Sequence, residues 1–262
     1  MHRGSSPARH SGYLKERNLD CDYGSTDYWG KYYDRKNRDV AYSEWFDISF
    51  LELQQDILTQ CIDEVKKDFK NQIEPKPSDD NKRNMYTQVI HLGCGGSMLG
   101  WDLYLHFDCG VKNIDSCEKI IEEMKRKVKE VETIMKPTQY CEWHSMNCTS
   151  LLYDDNSFHL AIDKGTFDSI KCSSRQEDIS KYVSEVYRVL KVGGIWIIIS
   201  HAPPKDRLQY MYNEHPQLGP VVKFNIKVKP IFSAASKSIS LGWTNVDSSD
   251  IHYFAYICTK KD

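Results

Sequence analysis

The sequence predicts an α/β fold in which helices cover both faces of a mostly parallel sheet. From Tyr86 onward, short apolar runs alternate with stretches of helical periodicity, which is the pattern of repeated βα units. The run Ile195–Ile199 is apolar at every position, as expected of a strand buried on both faces. The first apolar run ends in a glycine-rich turn, the usual start of a ligand-binding loop.

Two elements are predicted before the sheet begins. Apolar side chains recur at helical spacing from Phe50 to Phe69, which predicts one amphipathic helix. Residues 70–85 contain two prolines and a polar run, so we expect an exposed loop there.

The strands and the helices between them follow in chain order. Helices are predicted over residues 120–135 and from a Ser174/Glu177 capping box to Leu190, with Gly193 and Gly194 ending the second helix. The predicted strands are Val89–Leu92, Val111–Ile114, residues 140–146, Phe158–Ile162, Ile195–Ile199, Phe224–Val228 and His252–Cys258.

The composition argues against several classes of protein. Hydrophobic residues make up 40% and charged residues 27% of the 262 positions, which is a globular composition rather than a disordered one. Because 35 Lys and Arg face 37 Asp and Glu, no nucleic acid partner is expected. No apolar run approaches the roughly 18 residues of a membrane helix, so we expect no membrane association.

The cysteines indicate a reducing compartment. None of the nine forms a Cys-x-x-Cys pair or a zinc-type cluster, so no metal site is expected and the thiols should be free. This favours the cytoplasm. Residues 1–15 lack acidic side chains, which leaves the mitochondrion as an alternative, but glycine and proline interrupt any amphipathic helix there. We expect residues 1–15 to be a flexible tail.

The loop Gly93-Cys94-Gly95 is the strongest candidate for a cofactor site. Glycines allow close approach of the backbone, and the following helix offers free N–H groups beyond the end of a strand. A nucleoside triphosphate loop would continue with Gly-Lys-Ser or Gly-Lys-Thr, and a dinucleotide loop would have a third glycine where Met98 stands. S-adenosylmethionine requires only the first part of the loop and is therefore favoured.

Asp115 strengthens this interpretation. It follows the second strand, 20 residues after Gly95, where an acid can hold ribose hydroxyls. The alternative is that Asp115 only caps the next helix. Cys94 has no evident base nearby in the sequence, and we expect a small packed residue rather than a nucleophile.

Several motifs together resemble one family. Residues 89–97 resemble motif I of the class I S-adenosylmethionine-dependent methyltransferases. Asp163–Asp168, Tyr187–Gly194 and the block from Glu16 to Phe46 resemble the branch with the elongation factor 1-alpha lysine methyltransferases and the methyltransferase joined to endothelin-converting enzyme 2. The resemblance runs from about Glu16 to Ile199. It implies a Rossmann-like, seven-stranded sheet whose last strand is antiparallel to the fifth.

The resemblance also implies the domain organisation and the cofactor contacts. Residues 16–262 would form one methyltransferase domain, with a lid segment (16–69), a cofactor-binding core (86–200) and a substrate-side elaboration (203–262). Trp29, Tyr33 and Trp45 would cover the methionine end, where each aromatic face attracts a sulfonium by about 0.5–2 kcal/mol. From the residues alone, the favoured interpretation is that these aromatics are core residues that hold the N-terminal segment against the sheet. The other implied cofactor contacts are Gly93, Gly95, Asp115, Ser116, Asn147, Cys148 and Lys164.

Two of these positions depart from the family pattern. Ser116 replaces an aromatic or aliphatic residue, and Asn147 replaces an aspartate. The carbonyl oxygen of Asn147 can still accept a hydrogen bond from the adenine amino group.

The turn Asp163-Lys164-Gly165-Thr166 is expected beside the transferred methyl group. Asp163 and Asp168 are the candidate catalytic residues, which would orient the attacking amine; their alternative role is to cap the turn by hydrogen bonds. Enzymes that methylate bases often have Asn/Asp-Pro-Pro-Tyr/Phe here, which this chain lacks.

The leading functional prediction is therefore methylation of a protein lysine, with elongation factor 1-alpha as a candidate partner and S-adenosylhomocysteine as the product. The alternatives are a small-molecule methyltransferase and a catalytically silent binding module.

Overall fold

The computed structural model of the protein describes most of the chain. The described residues are 23–35, 44–46, 48–70, 87–107, 109–132, 140–173, 175, 177–212, 222–232 and 251–262. The expected flexible tail (1–15), nearly all of the expected loop at 70–85 and Ser174 of the expected capping box lie outside these ranges.

Seven strands form one sheet in the order β3-β2-β1-β4-β5-β7-β6. All neighbours from β3 to β5 are parallel, whereas β7 is antiparallel to both β5 and β6. The expected seven-stranded sheet, with its last strand antiparallel beside the fifth, is confirmed. The strands are β1 Thr87–Leu92, β2 Cys109–Asp115, β3 Cys141–Ser145, β4 Phe158–Lys164, β5 Leu190–Ser200, β6 Phe224–Phe232 and β7 Ile251–Lys260.

Helices cover both faces of this sheet, as predicted. The helices of the described residues are α1 Thr26–Arg35, α2 Phe50–Leu53, α3 Thr59–Asp68, α4 Leu99–Phe107, α5 Glu118–Glu132, α6 Thr166–Lys171, α7 Glu177–Val189 and α8 Pro204–Arg207. None of them is long and apolar enough to span a bilayer.

The helix expected over residues 50–69 is present in three parts. A π-helical segment, Gln54–Leu58, joins α2 to α3. Ser49 and Glu52 form a capping box at its start, because the Ser49 hydroxyl accepts from Glu52 N and the Glu52 carboxylate accepts from Ser49 N. The Ser-x-x-Glu spacing that marks this cap is visible in the sequence.

Strand β5 shows why its sequence is apolar throughout. Ile195 and Ile197 belong to the cluster that α3, α4 and α5 cover, whereas Trp196 and Ile198 belong to the cluster that α6 and α7 cover. Side chains alternate between the two faces of a strand, so a strand buried on both sides needs apolar residues at successive positions.

The start of β5 differs from the prediction. The strand begins at Leu190, directly after α7, so Gly193 and Gly194 lie within it rather than in a loop. Gly193 has φ +81°, and the pairing of β4 with β5 shifts register between Phe158 and Leu160. A glycine inside a strand commonly marks such an irregularity, which periodicity alone does not reveal.

Candidate functional site

A cleft lies beyond the carboxyl ends of β1, β2 and β4. The cleft is open to solvent, and the empty space between its walls is about 780 Å³. All the predicted cofactor residues except Gly95 line this cleft: Trp29, Tyr33, Trp45, Gly93, Asp115, Ser116, Asn147, Cys148 and Lys164. The roles of these residues toward a cofactor stay predictions, but the chain brings them together.

The glycine loop needs its glycines for close contacts. Gly93 has φ +60°, and a Cβ atom there would lie 2.1 Å from Thr166 Oγ1. Gly95 has φ +50°, and a Cβ atom there would lie 2.7 Å from the Tyr33 hydroxyl. Because L side chains rarely adopt such φ values, both positions favour glycine. Gly95 does not line the cleft itself but packs against the hydroxyl of Tyr33, which does.

Asp115 joins the glycine loop to the next helix. Its Oδ2 accepts from Gly95 N at 2.9 Å, and its Oδ1 accepts from Cys117 N at 2.9 Å. Burial raises the pKa of Asp115, although these backbone N–H groups partly lower it. A carboxylate has about four acceptor positions. Asp115 can therefore cap α5 and still accept a hydrogen bond from a hydroxyl group in the cleft.

An aromatic cluster covers the cleft on one side. The ring centroid of Trp29 lies 5.3 Å from that of Trp45 and 6.1 Å from that of Tyr33. Trp29 Nε1 donates to the carbonyl oxygen of Tyr23 at 2.7 Å, which fixes the indole. The rings contact one another and also line the cleft, so the cofactor-lid role and the packing role are compatible.

Lys164 forms an ion pair that sequence reasoning missed. Its Nζ pairs with Glu44, which also accepts from Ser97 Oγ at 2.8 Å and from Met98 N at 3.2 Å. Glu44 thus ties the N-terminal segment to both the glycine loop and the end of β4. No local signal identifies this partner, because Glu44 lies 53 residues from Ser97 and 120 from Lys164.

The expected role of Asn147 Oδ1 as acceptor for the adenine amino group needs correction. Asn147 Oδ1 already accepts from Thr149 N and from Thr149 Oγ1, each at 2.9 Å. These bonds use both lone pairs of the carbonyl oxygen, which leaves Nδ2 as the group of this side chain that can still bind a ligand. The Asn-x-Thr spacing of this turn is a signal that the sequence analysis did not use.

Asp163 does not reach the cleft. Its Oδ1 accepts from Thr166 N at 2.8 Å, and its Oδ2 accepts from Phe167 N at 2.8 Å and from the Tyr182 hydroxyl at 2.6 Å. Burial raises the pKa of Asp163 to about 7. These contacts correspond to the alternative role, in which the side chain caps the turn before α6.

Asp168 also lies outside the cleft lining, in a buried network of donors. Its Oδ1 accepts from Arg207 Nη2 at 2.6 Å and from Ser200 Oγ at 2.6 Å, and its Oδ2 accepts from His201 Nδ1 at 2.6 Å. Although burial raises the pKa of Asp168, His201 and Arg207 lower it further, so the net shift is downward. Neither Asp163 nor Asp168 is therefore placed to orient an amine directly.

The comparisons with known proteins agree with this geometry. Residues 90–198 match the family model described as a methyltransferase domain. The chain is 30% identical over 187 residues to the "eEF1A lysine and N-terminal methyltransferase" of Mus musculus, covering 69% of this chain and 22% of the relative. It is 25% identical over 214 residues to the "EEF1A lysine methyltransferase 4" of Bos taurus, covering 77% of this chain and 70% of the relative. The chain thus spans only about a fifth of the first relative.

Solved structures support the fold. The geranyl diphosphate C-methyltransferase of Streptomyces coelicolor is similar, with a TM-score of 0.50 and 12% identity, over 92% of this chain and 98% of that chain. The cyclase SpnF is similar with a TM-score of 0.53 and 11% identity, over 90% of this chain and 97% of that chain. One of these neighbours is named as a cyclase, so the likeness shows the fold and leaves the reaction to the site.

Proposed function

We propose that this protein, whose residues 90–198 match a methyltransferase domain, transfers a methyl group from S-adenosylmethionine to an amine of a protein. The first candidate acceptor is a lysine side chain of elongation factor 1-alpha. The observation that carries the proposal is the cleft itself, which combines an acid for hydroxyl groups, a glycine loop and a set of aromatic faces.

The residues of the cleft fit each part of this cofactor. Asp115 has acceptor capacity for the ribose hydroxyls, and the Nδ2 group of Asn147 can donate to a ring nitrogen of adenine. The faces of Trp29, Tyr33 and Trp45 suit the sulfonium cation. When bound, the cofactor supplies an electrophilic methyl group, and the chain contributes positioning and electrostatics.

The acceptor is proposed from the relatives. Both curated relatives described above are named for the methylation of eEF1A, and one of them is covered over 70% of its length. The cysteines of the described residues are free thiols, seven of them buried, which supports the proposed location in the reducing cytoplasm.

The first experiment measures cofactor binding. S-adenosylmethionine and S-adenosylhomocysteine are titrated calorimetrically into the wild-type protein and into Asp115→Ala. We expect micromolar binding that Asp115→Ala weakens at least about 100-fold, because a buried charge-assisted contact is lost. Asp115→Asn keeps the shape of the side chain and separates lost binding from lost folding. Asp154→Ala removes an exposed aspartate outside the cleft and should bind like wild type.

The second experiment measures transfer. Recombinant elongation factor 1-alpha is incubated with the protein and methyl-labelled cofactor, and the modified residue is located by mass spectrometry. Labelling of a lysine supports the proposal. Cofactor binding with label found only on small amines would favour the small-molecule alternative, and absence of binding would overturn the enzyme assignment.

A further inference from the structure

His201 lies one residue beyond the end of β5, next to Phe46, whose ring packs on the cleft residue Gly165. His201 directly follows β5, whose partner β4 ends in Lys164 at the cleft. Ligands of open α/β sheets bind beyond these strand ends. The His201 side chain is 37% exposed, so its ring can meet a molecule that arrives from solvent.

Phe46 connects His201 to the cleft. A Cβ atom on Gly165, which lines the cleft, would lie 3.3 Å from the Phe46 ring, and the Phe46 and His201 ring centroids are 6.4 Å apart. Tyr253 packs on the same phenyl ring, with centroids 4.6 Å apart. Phe46 also has φ +60°, and such strained residues cluster at functional sites.

Asp168 decides which nitrogen of His201 carries a proton. Asp168 is ionised at neutral pH, because its pKa is shifted downward, and a carboxylate can only accept hydrogen bonds. His201 Nδ1, 2.6 Å from Asp168 Oδ2, must therefore be the donor. In the neutral ring, Nε2 then holds the free lone pair, and within the described part of the chain it makes no hydrogen bond.

We propose that His201 is the base that removes the proton from the acceptor ammonium, with Asp168 as the residue that positions its ring. The inference rests on the proposed methyl transfer and names the group that prepares the amine. A protonated amine has no lone pair and cannot attack, so the reaction requires this step.

The proton and electron balance is simple. His201 Nε2 takes one proton from the ammonium, which leaves a neutral amine and an imidazolium. The amine nitrogen forms a bond to the methyl carbon as the bond from that carbon to the cofactor's sulfur breaks, and the product amine carries the positive charge. His201 then releases its proton to solvent across its exposed edge.

The charges around His201 favour this cycle. Arg207 on α8 donates to the same carboxylate, so the negative charge of Asp168 is shared between a guanidinium and the imidazole. Lys164 at the end of β4 is neutralised by Glu44. On β7, the Tyr256 hydroxyl donates to the carbonyl oxygen of Ala202 at 2.6 Å and is not available as a competing donor.

The test uses a substitution that keeps the contact with Asp168. In His201→Asn, the Nδ2 group can still donate to Asp168, but no basic nitrogen remains. His144→Asn is the matched control, because His144 is 40% exposed and its Nε2 lies 3.0 Å from Glu142 Oε2 outside the cleft. Both proteins should bind S-adenosylmethionine within about twofold of wild type, because the proposal places neither side chain at the cofactor.

Single-turnover transfer to recombinant elongation factor 1-alpha is then followed from pH 6 to 9. At pH 7 we expect His201→Asn to slow transfer by about 100-fold or more, the usual contribution of a positioned base. The difference in rate between His201→Asn and the wild-type protein should become smaller as the pH rises, because solvent then deprotonates the amine. A merely structural role would lower the rate equally at every pH, and a rate and pH profile equal to wild type would overturn the proposal.

A second readout does not depend on any acceptor. In the free protein, nitrogen NMR of the imidazole, assigned by its loss in His201→Asn, should show the neutral ring protonated at Nδ1. A ring protonated at Nε2 would overturn the proposal even if methyl transfer occurs. If the wild-type protein binds no cofactor and transfers no methyl group, the proposed function fails and this inference fails with it, whatever the tautomer.

Discussion

The proposed cofactor half and the proposed acceptor half of the site are built in different ways. The cofactor half, around the Gly93–Ser97 loop and Asp115, is held by backbone N–H groups: those of Gly95 and Cys117 donate to the Asp115 carboxylate, and that of Cys94 donates to the carbonyl oxygen of Ile114. The acceptor half, around Asp168, His201 and Arg207, is held by side-chain contacts between α6, the residue after β5, and α8. A site held by backbone groups keeps its geometry as long as the local backbone conformation is kept. A site held by a side-chain network loses its geometry when any one of the side chains is replaced.

The buried carboxylates show this difference most clearly. Burial raises the pKa of Asp115, which has backbone N–H partners, and also that of Asp163, whose partners are N–H groups and a phenol. The pKa of Asp168 shifts downward, because a guanidinium and an imidazole contact it. Replacing one of these carboxylates should therefore lower the free energy of unfolding most where the carboxylate balances a buried cation.

The largest effect should follow loss of Asp168. Asp168→Ala leaves the Arg207 guanidinium buried without its partner, and we expect a loss of about 3–5 kcal/mol in the free energy of unfolding, measured by urea denaturation. The control is Asp206→Ala, because Asp206 is an exposed neighbour of Arg207. This substitution should change the free energy of unfolding by less than about 0.5 kcal/mol. A double variant, Asp168→Ala with Arg207→Leu, should recover part of the loss. A cost near that of the Asp206 control would show that the acceptor half does not depend on this network.

A somewhat smaller effect should depend on pH at Asp163. Its pKa in the folded protein is about 7, whereas an aspartate in an unfolded chain has a pKa near about 3.9. The stabilisation that goes with the raised pKa is complete below about pH 4 and is lost as the pH rises through 7. Relative to Asp163→Asn, the wild-type protein should lose about 2–4 kcal/mol between pH 4.5 and 8.

The measurement is urea denaturation of both proteins at several pH values. Taking the difference between them removes the contribution of the other carboxyl groups. A difference that does not change with pH would show that Asp163 is ionised throughout and that its hydrogen bonds outweigh its burial.

The glycine loop should respond to backbone conformation rather than to charge. Gly93→Ala places a Cβ at φ +60° and against Thr166, and we expect a loss of about 1–2 kcal/mol in stability from the backbone alone, with weaker cofactor binding. Gly30→Ala is the matched control, because its added Cβ meets no atom within 4 Å and it lies inside α1. That variant should stabilise the protein by about 0.5–1 kcal/mol. Equal effects would show that the loop relaxes around the methyl group.

The smallest effect should concern the aromatic lid. Trp29→Leu removes a face that attracts a sulfonium, so it should weaken binding of S-adenosylmethionine more than that of the neutral S-adenosylhomocysteine. We expect the ratio of the two dissociation constants to change by about two- to fivefold, measured calorimetrically. Tyr104→Leu on α4, outside the cleft lining, should leave the ratio unchanged. An unchanged ratio in Trp29→Leu would make the ring a packing residue only.

The sequence predicted which residues meet at the cleft, because the signals for them are local. The Gly93 loop, Asp115 and the all-apolar β5 each depend on backbone conformation or on burial, which leave a pattern in neighbouring residues. The order of the strands came from the family resemblance and is confirmed by the structure. The functional roles of the cofactor residues remain predictions.

The acceptor half was not predictable in the same way. Asp168, Ser200 and Arg207 meet across 32 to 39 residues of sequence, and no spacing rule relates them. Asp163 and Asp168 looked like candidate catalytic groups because they flank the turn after β4, but their contacts point inward.

The sequence by itself determined the α/β class, the glycine loop and the acid after β2, because hydrophobic periodicity and glycine conformation act over a few residues. Only the tertiary structure decided that Glu44 pairs with Lys164, that Asn147 is held by Thr149, and that Asp168 holds His201. A buried charged group needs a partner close by in space to offset its desolvation. Residues far apart in the sequence become such partners only when the chain folds.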